Sequence, residues 1–292
     1  MSNSSHLTTK EVARICHVSD ATVKRWEDSG MLRSERTGGG HRRFRAEEVA
    51  RFQRLQGIGL NKCKNDEAVL RTVNLHRETQ NSSESPLFNA LASGCEEQAS
   101  NLIMGEYLKG TPLTEIFDNI ICEALNRIGE LWYEGELTIT QEHLASRIVH
   151  NAVHKLRLTI SVPEPDGRLA LCCTAEGDLH DLPAYLAQII LENAGWEVVN
   201  FGANTPLYCL SDEVLKYKPQ LVCITSKVNA DTERFLREYK MFREQTKKQN
   251  ISIVLGGQTF RNSRFKDQFD AELIGESFAE FESFIKNLAV KS

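Results

Sequence analysis

The residues best suited to chemistry are Asp178 and His180, in the run from Leu169 to Pro183. An apolar strand ends at Thr174, a loop carries the pair, and a helix restarts at Pro183. If Asp178 to His180 is extended, side chains two apart point the same way. The carboxylate then accepts a hydrogen bond from one imidazole nitrogen and leaves the other for a metal. Ser226 ends a second buried strand, Leu221-Val-Cys-Ile-Thr-Ser226, and Gly256-Gly257 end a third, Ile251-Ser-Ile-Val-Leu255. Ligands of open α/β sheets sit beyond the carboxyl ends of strands, where all of these lie. A second group is Trp132 followed, after nine residues, by Glu142-His143, with the tryptophan ending one helix and the pair opening the next. No nucleophile–base pairing and no phosphate-binding glycine loop stands out as a catalytic site, so the chain reads as a binding protein and not an enzyme.

The elements that must position these groups follow from hydrophobic periodicity. Strands near 168–174, 197–202, 220–226, 251–255 and 271–274 alternate with helices near 183–194, 207–217, 230–248, 260–268 and 278–288, the pattern of a parallel, doubly wound sheet. Pro163 to Gly167 form the joint before it. Upstream, helical patterns cover roughly 87–108, 113–133 and 140–158, with Thr140 as the expected cap of the last. Residues 59–86 are polar and read as a linker with a helical middle near Ala68 to Leu75. Eight cysteines are scattered without a Cys-x-x-Cys pair. Cys63 stands alone, and Cys172 and Cys173 face opposite sides of a strand. This is the pattern of a reduced, cytoplasmic protein. No apolar run approaches the roughly 18 residues of a membrane span.

Charge is unevenly placed. Residues 1–80 hold 15 Lys/Arg against 10 Asp/Glu, a net of +5, while the rest hold 20 against 30, a net of −10. A basic head on an acidic body suggests a nucleic-acid partner for the head alone. Leu7 to Cys16 read as a short amphipathic helix. Ser19 caps a second, Asp20 to Asp28, with Val23 and Trp26 inward and Thr22, Lys24 and Arg25 outward. Gly30 stops it. A glycine turn at 38–40 then leads into His41-Arg42-Arg43-Phe44-Arg45, and a third helix is expected over Ala46 to Gln56.

Thr-Val-Lys-Arg-Trp-Glu followed by Gly-Gly-His-Arg-Arg-Phe resembles the winged helix-turn-helix of MerR-type transcription regulators. The resemblance implies double-stranded DNA as partner, with Thr22, Lys24 and Arg25 on the helix entering the major groove and His41, Arg42, Arg43 and Arg45 on the wing. The set Asp-x-His, Ser-x-Val and Gly-Gly resembles the signature of cobalamin-binding domains. That resemblance implies His180 as lower cobalt ligand, oriented by Asp178, and a slot for the nucleotide tail lined by Ser226, Gly256 and Gly257. The spacing from Trp132 to Glu142-His143 resembles the bundle motif of the CarH/LitR photoreceptor regulators, which bind adenosylcobalamin. It implies that Trp132 and Glu142 border the adenosyl group and that His143 becomes the upper ligand after photolysis.

The fold expected is therefore multidomain, α and α/β. A MerR-type winged helix-turn-helix spans 1–58, a linker 59–86, a four-helix bundle 87–162, and a Rossmann-like (flavodoxin-like) cobalamin-binding domain 163–292. The function the resemblance implies is a light-responsive transcriptional repressor that binds DNA as an adenosylcobalamin-bound homo-oligomer, a tetramer in the dark, and releases it in light. Two departures stand out: Pro183 occupies a position where the family carries glycine, and Leu179 and Asn204 replace an arginine–acid pair that joins protomers. A B12-independent MerR-type regulator and a corrinoid methyl-carrier protein are the rival readings.

Overall fold

The computed structural model describes residues 6–16, 18–45, 48, 49, 52, 85–227, 232–261 and 266–289. The chain divides into two compact units, residues 1–71 and 72–292. Cys63 and the expected helical middle of the linker lie outside the described residues, as does most of the helix expected over Ala46 to Gln56.

In the first unit, strand β1 (His6–Thr8), helix α1 (Thr9–Ile15), helix α2 (Asp20–Asp28) and strands β2 (Glu35–Arg36) and β3 (Arg42–Arg45) surround a small core. The sheet is antiparallel, in the order β1-β3-β2. The first helix begins later than periodicity suggested. Thr8 and Glu11 form a capping box, so Leu7 falls in a strand opposite Phe44. Ser19 caps α2 as expected, accepting from the Thr22 amide at 3.3 Å. Val12, Val23, Trp26, Leu32, Phe44, Val49 and Phe52 make the core, which ties the wing strand to both helices.

The second unit opens with a bundle. Ser85 caps α3 (Pro86–Ala92), and α4 (Glu96–Lys109) follows. The expected single helix over 87–108 is thus two. Gly94, at φ +68°, turns the chain between them, in a left-handed conformation that glycine adopts without a Cβ penalty. Helix α5 (Leu113–Glu115) continues through a π segment, Ile116–Cys122, into α6 (Glu123–Tyr133). Helix α7 (Ile139–Thr159) is capped by Thr138 with Gln141 in a capping box, not by Thr140.

The sheet follows as β4 (Leu169–Thr174), α8 (Leu182–Asn193), β5 (Glu197–Asn200), α9 (Leu207–Tyr217), β6 (Leu221–Thr225), α10 (Thr232–Lys248), β7 (Ser252–Gly256), α11 (Gln258–Arg261), β8 (Leu273–Gly275) and α12 (Phe278–Ala289). Of the helix expected over 260–268, residues 262–265 lie outside the described ones; α11 covers the start, and Lys266–Gln268 form a 3-10 turn. All strand pairs are parallel, in the order β5-β4-β6-β7-β8. That is the flavodoxin-like winding, and its order reverses between β4 and β6, where ligands of such sheets bind.

Alternation along the strands serves two cores. Ala170, Cys172 and Cys223 face the bundle in a core continuous with Leu87, Phe117, Val153, Leu186 and Phe281. Leu171, Cys173, Val222 and Ile224 face Leu210, Phe235, Tyr239 and Phe260. Cys172 and Cys173 do point to opposite faces. Cys16, Cys122, Cys172, Cys173, Cys209 and Cys223 are free thiols. Cys95 is disulfide-bonded, which departs from the reduced pattern expected. Among the described residues no helix is long and apolar enough to cross a membrane.

Candidate functional site

The loop after β4 is shaped by turns, not by an extended strand. Gly177 sits at φ +82° and Asn204 at φ +54°. The Asn204 side-chain carbonyl accepts from the Gly177 amide at 2.8 Å, and the Asn204 amide donates to the Asp178 carbonyl at 3.0 Å. Asparagine tolerates the left-handed region, so Asn204 is spent on the loop itself. The side chain of Asp178 is fully buried. Its Oδ1 accepts from the His180 amide at 2.9 Å and bonds His180 Nδ1 at 2.6 Å, while Oδ2 accepts from the Lys227 amide at 2.5 Å. A buried carboxylate is tolerable only when paired and hydrogen-bonded. Here its partners come from both loops that flank the reversal point of the sheet. The imidazole of His180 remains 42% exposed. With Nδ1 engaged by the carboxylate, Nε2 is the nitrogen available for a ligand.

Around it lie small and hydroxylated groups. Thr174 and Thr225 hydroxyls meet at 3.0 Å, and the Ser226 hydroxyl donates to Thr259 Oγ1 at 2.9 Å. Gly257, at φ +105°, packs on backbone: a Cβ there would lie 2.3 Å from the Ser226 carbonyl oxygen. Gly256 has more room, its nearest neighbour being Thr225 Cγ2 at 3.9 Å. The two glycines therefore have different reasons, close backbone approach for Gly257 and open space for Gly256. Pro183 sits in the first turn of α8, where its missing amide costs no helical hydrogen bond.

Trp132 lies in the last turn of α6, and Glu142 and His143 lie near the start of α7. Trp132 is 44% exposed. Glu142 accepts from Ser146 Oγ at 3.1 Å and lies 3.8 Å from His143 Nε2. None of the three makes a hydrogen bond or ion pair with His180. A link that sequence reasoning missed joins α7 to the loop: His150 Nε2 meets Asp181 Oδ1 at 3.0 Å. Below it, His154 bonds the Tyr185 hydroxyl at 3.1 Å, and Arg157 grips Glu192 bidentately at 2.7 and 2.6 Å. Positions 143, 150, 154 and 157 share one helical stripe. At about 1.5 Å of rise per residue, His143 stands roughly 10 Å along the axis from His150. The seven-residue spacing was legible in the sequence; the partner of His150 was not.

In the head, Lys24, Arg25, His41 and Arg45 are exposed, and Thr22, Arg42 and Arg43 are half-buried. The Thr22 hydroxyl meets Ser19 Oγ at 3.0 Å. Arg45 pairs with Glu35 at 2.7 Å, and Arg43 Nη1 donates to the Arg42 carbonyl at 3.3 Å. Arg42 is engaged with Glu27 and Asp28 at the end of α2, partners that sequence spacing does not reveal.

Three family models match the chain: MerR HTH family regulatory protein over residues 7–58, and B12 binding domain over 84–157 and again over 168–285. Over 273 residues the chain is 23% identical to the HTH-type transcriptional repressor CarH of Myxococcus xanthus, spanning 86% of this chain and 88% of that one. It is 20% identical over 178 residues to dimethylamine corrinoid protein 1 of Methanosarcina mazei, spanning 60% of this chain and 82% of that one. The structure of the Methanosarcina barkeri monomethylamine corrinoid protein superposes with a TM-score of 0.60 at 18% identity, covering 69% of this chain and 96% of that one. This last likeness is one of fold. A MerR helix-turn-helix region thus stands ahead of two B12-binding regions, and over most of its length the chain is similar to the repressor CarH.

Proposed function

We propose that the chain is a light-responsive repressor that binds operator DNA as an adenosylcobalamin-bound homo-oligomer in darkness and releases it when illuminated. The observation that carries the reading is the His180 imidazole, half exposed and fixed by a buried carboxylate so that Nε2 is left for a metal, on the same chain as a basic winged head. The donor set suits a corrin. Among the described residues no group of three or more His, Cys, Asp or Glu could hold a bare ion, whereas one imidazole completes a cobalt that arrives with its ring nitrogens. When bound, adenosylcobalamin supplies a cobalt–carbon bond that visible light cleaves.

The chain's own residues then have distinct tasks. His180 takes the lower position, with Asp178 fixing its tautomer. Ser226, Gly256 and Gly257 line the space for the nucleotide tail, and Trp132 and Glu142 border the adenosyl group. His143 is the ligand proposed for the lit state. Because α7 is a stiff rod pinned by His150 and Arg157, bringing its first turn over the loop requires the bundle to shift against the sheet. A state change needs such a differential contact. Several heads on one oligomer supply affinity through multivalency that a single head lacks. Leu179 is 76% exposed and Asn204 serves its own loop, so the protomer contact is built from other residues than the family's arginine–acid pair.

The test uses the purified full chain loaded with adenosylcobalamin in darkness. Absorption, size and binding to a fragment of its own promoter are recorded before and after green light. The reading expects a changed spectrum, a smaller particle and released DNA; an unchanged spectrum and size would end it. No retained cobalamin would favour the B12-independent regulator. The likeness to corrinoid proteins favours a methyl carrier as the second reading, which retained methylcobalamin with no DNA binding would support.

A further inference from the structure

We propose that Arg42 is a positioning residue of the DNA-binding head: it clamps the wing to the second helix through Glu27 and Asp28 and does not hold a phosphate. The inference rests on the head binding DNA. Arg42 opens β3, the wing's returning strand. Its Nε donates to Glu27 Oε2 at 2.6 Å and its Nη2 to Asp28 Oδ1 at 2.9 Å, so two edges of the guanidinium are committed to the last turn of α2. Glu27 is itself a junction. Its Oε1 accepts from Ser34 Oγ at 2.9 Å and lies 3.7 Å from Arg36 Nη2 on β2. One carboxylate thus gathers α2, the connection after it and both wing strands.

Exposure separates this cluster from an ordinary surface pair. The Arg42 and Glu27 side chains are 21% and 15% exposed, against 58% and 54% for Arg45 and Glu35. Arg45 can leave its partner for a phosphate at little cost. Arg42 leaves at greater cost: the half-buried Glu27 carboxylate would lose its shortest ion pair and keep Ser34 and the more distant Arg36. Arg42 and Ser34 hold the Glu27 carboxyl below the usual carboxylate range, which agrees with that geometry. The phosphate-facing cations of the head are then Lys24, Arg25, Arg43 and Arg45, and the clamp sets the angle at which the wing presents the last two.

The experiment measures how affinity for a labelled DNA duplex of fixed, arbitrary sequence falls with salt, using the full chain. Losing one phosphate contact lowers the slope of log K against log salt by about 0.9. Arg43→Met is expected to lower it by about that amount, whereas Arg42→Met weakens binding with the slope unchanged. Glu27→Gln gives a test of sign. If Arg42 were a phosphate ligand restrained by Glu27, removing the carboxylate would tighten binding; the clamp expects it to weaken binding. Hydrogen exchange of Arg42–Arg45 amides in Glu27→Gln, Arg42→Met and the double variant gives a readout independent of DNA. The clamp expects the double variant to lose no more protection than either single one. A lowered slope in Arg42→Met, tighter binding in Glu27→Gln, or additive loss of protection overturns the proposal. If the unsubstituted chain binds no duplex, the DNA-binding reading fails, and the exchange cycle alone decides for or against the clamp.

Discussion

Replacing Asp178 by asparagine separates the orienting role of this carboxylate from mere burial. In the native loop both oxygens only accept, from the His180 amide, His180 Nδ1 and the Lys227 amide. Asparagine keeps one acceptor and turns the other into a donor. Two placements exist, and each fails in a defined way. With NH2 toward Lys227, two donors oppose each other in a buried site, a cost of about 1–3 kcal/mol. With NH2 toward His180, it meets the His180 amide and can donate to Nδ1 only if the ring proton moves to Nε2, which blocks the nitrogen needed for cobalt. Either way the fold loses about 1–3 kcal/mol, and cobalamin affinity drops about 10–100-fold, the usual effect of removing the partner of a ligating histidine. The assay is absorbance titration of the apo chain with hydroxocobalamin, beside thermal melting, with His180→Ala as reference. Asp178→Asn is expected to fall between wild type and His180→Ala in affinity and to melt earlier than wild type. Wild-type affinity and melting in Asp178→Asn would refute the reasoning.

Gly257→Ala is expected to destabilise by on the order of 2–5 kcal/mol, since left-handed strain adds to a clash with backbone; Gly256→Ala, with a nearest neighbour at 3.9 Å, should leave the urea midpoint nearly unchanged while weakening cobalamin binding. An unshifted midpoint in Gly257→Ala would show that the Ser226 strand end yields. Asp118, in the π segment, accepts from the amides of Phe278 and Ala279 at 2.9 and 3.1 Å and so caps α12 from the bundle. Asp118→Ala should cost about 0.5–2 kcal/mol and speed hydrogen exchange in the first turn of α12; unchanged exchange would mean that Ser277, whose hydroxyl accepts from the Glu280 amide at 3.1 Å, caps the helix alone.

What the sequence disclosed depended on how local each feature is. Asp178 and His180 are two residues apart, so their contact could be foreseen, although a turn forms it and not a strand. The parallel sheet followed from apolar runs alternating with helical ones. The break at Gly94 was signalled by the glycine and by Glu96-Glu97 behind it, a favourable first turn, but the unbroken apolar period on both sides hid it. Thr138 was a better cap than Thr140 because Gln141 follows it three residues on, completing a capping box. By contrast, the Lys227 amide on Asp178 and the Asp181 partner of His150 depend on how two loops and two helices meet in space. The π segment and its capping Asp118 have no periodic signature at all.

The central claim is that a protein imidazole lies beneath cobalt. Electron paramagnetic resonance of the reduced, cobalt(II) form tests it most directly in chain labelled with 15N only at histidine. Superhyperfine splitting by His180 would change from the triplet of 14N in unlabelled protein to the doublet of 15N, and the labelled pattern would vanish in His180→Ala. A triplet that persists in labelled protein would assign the axial nitrogen to the cofactor's own base and contradict the account.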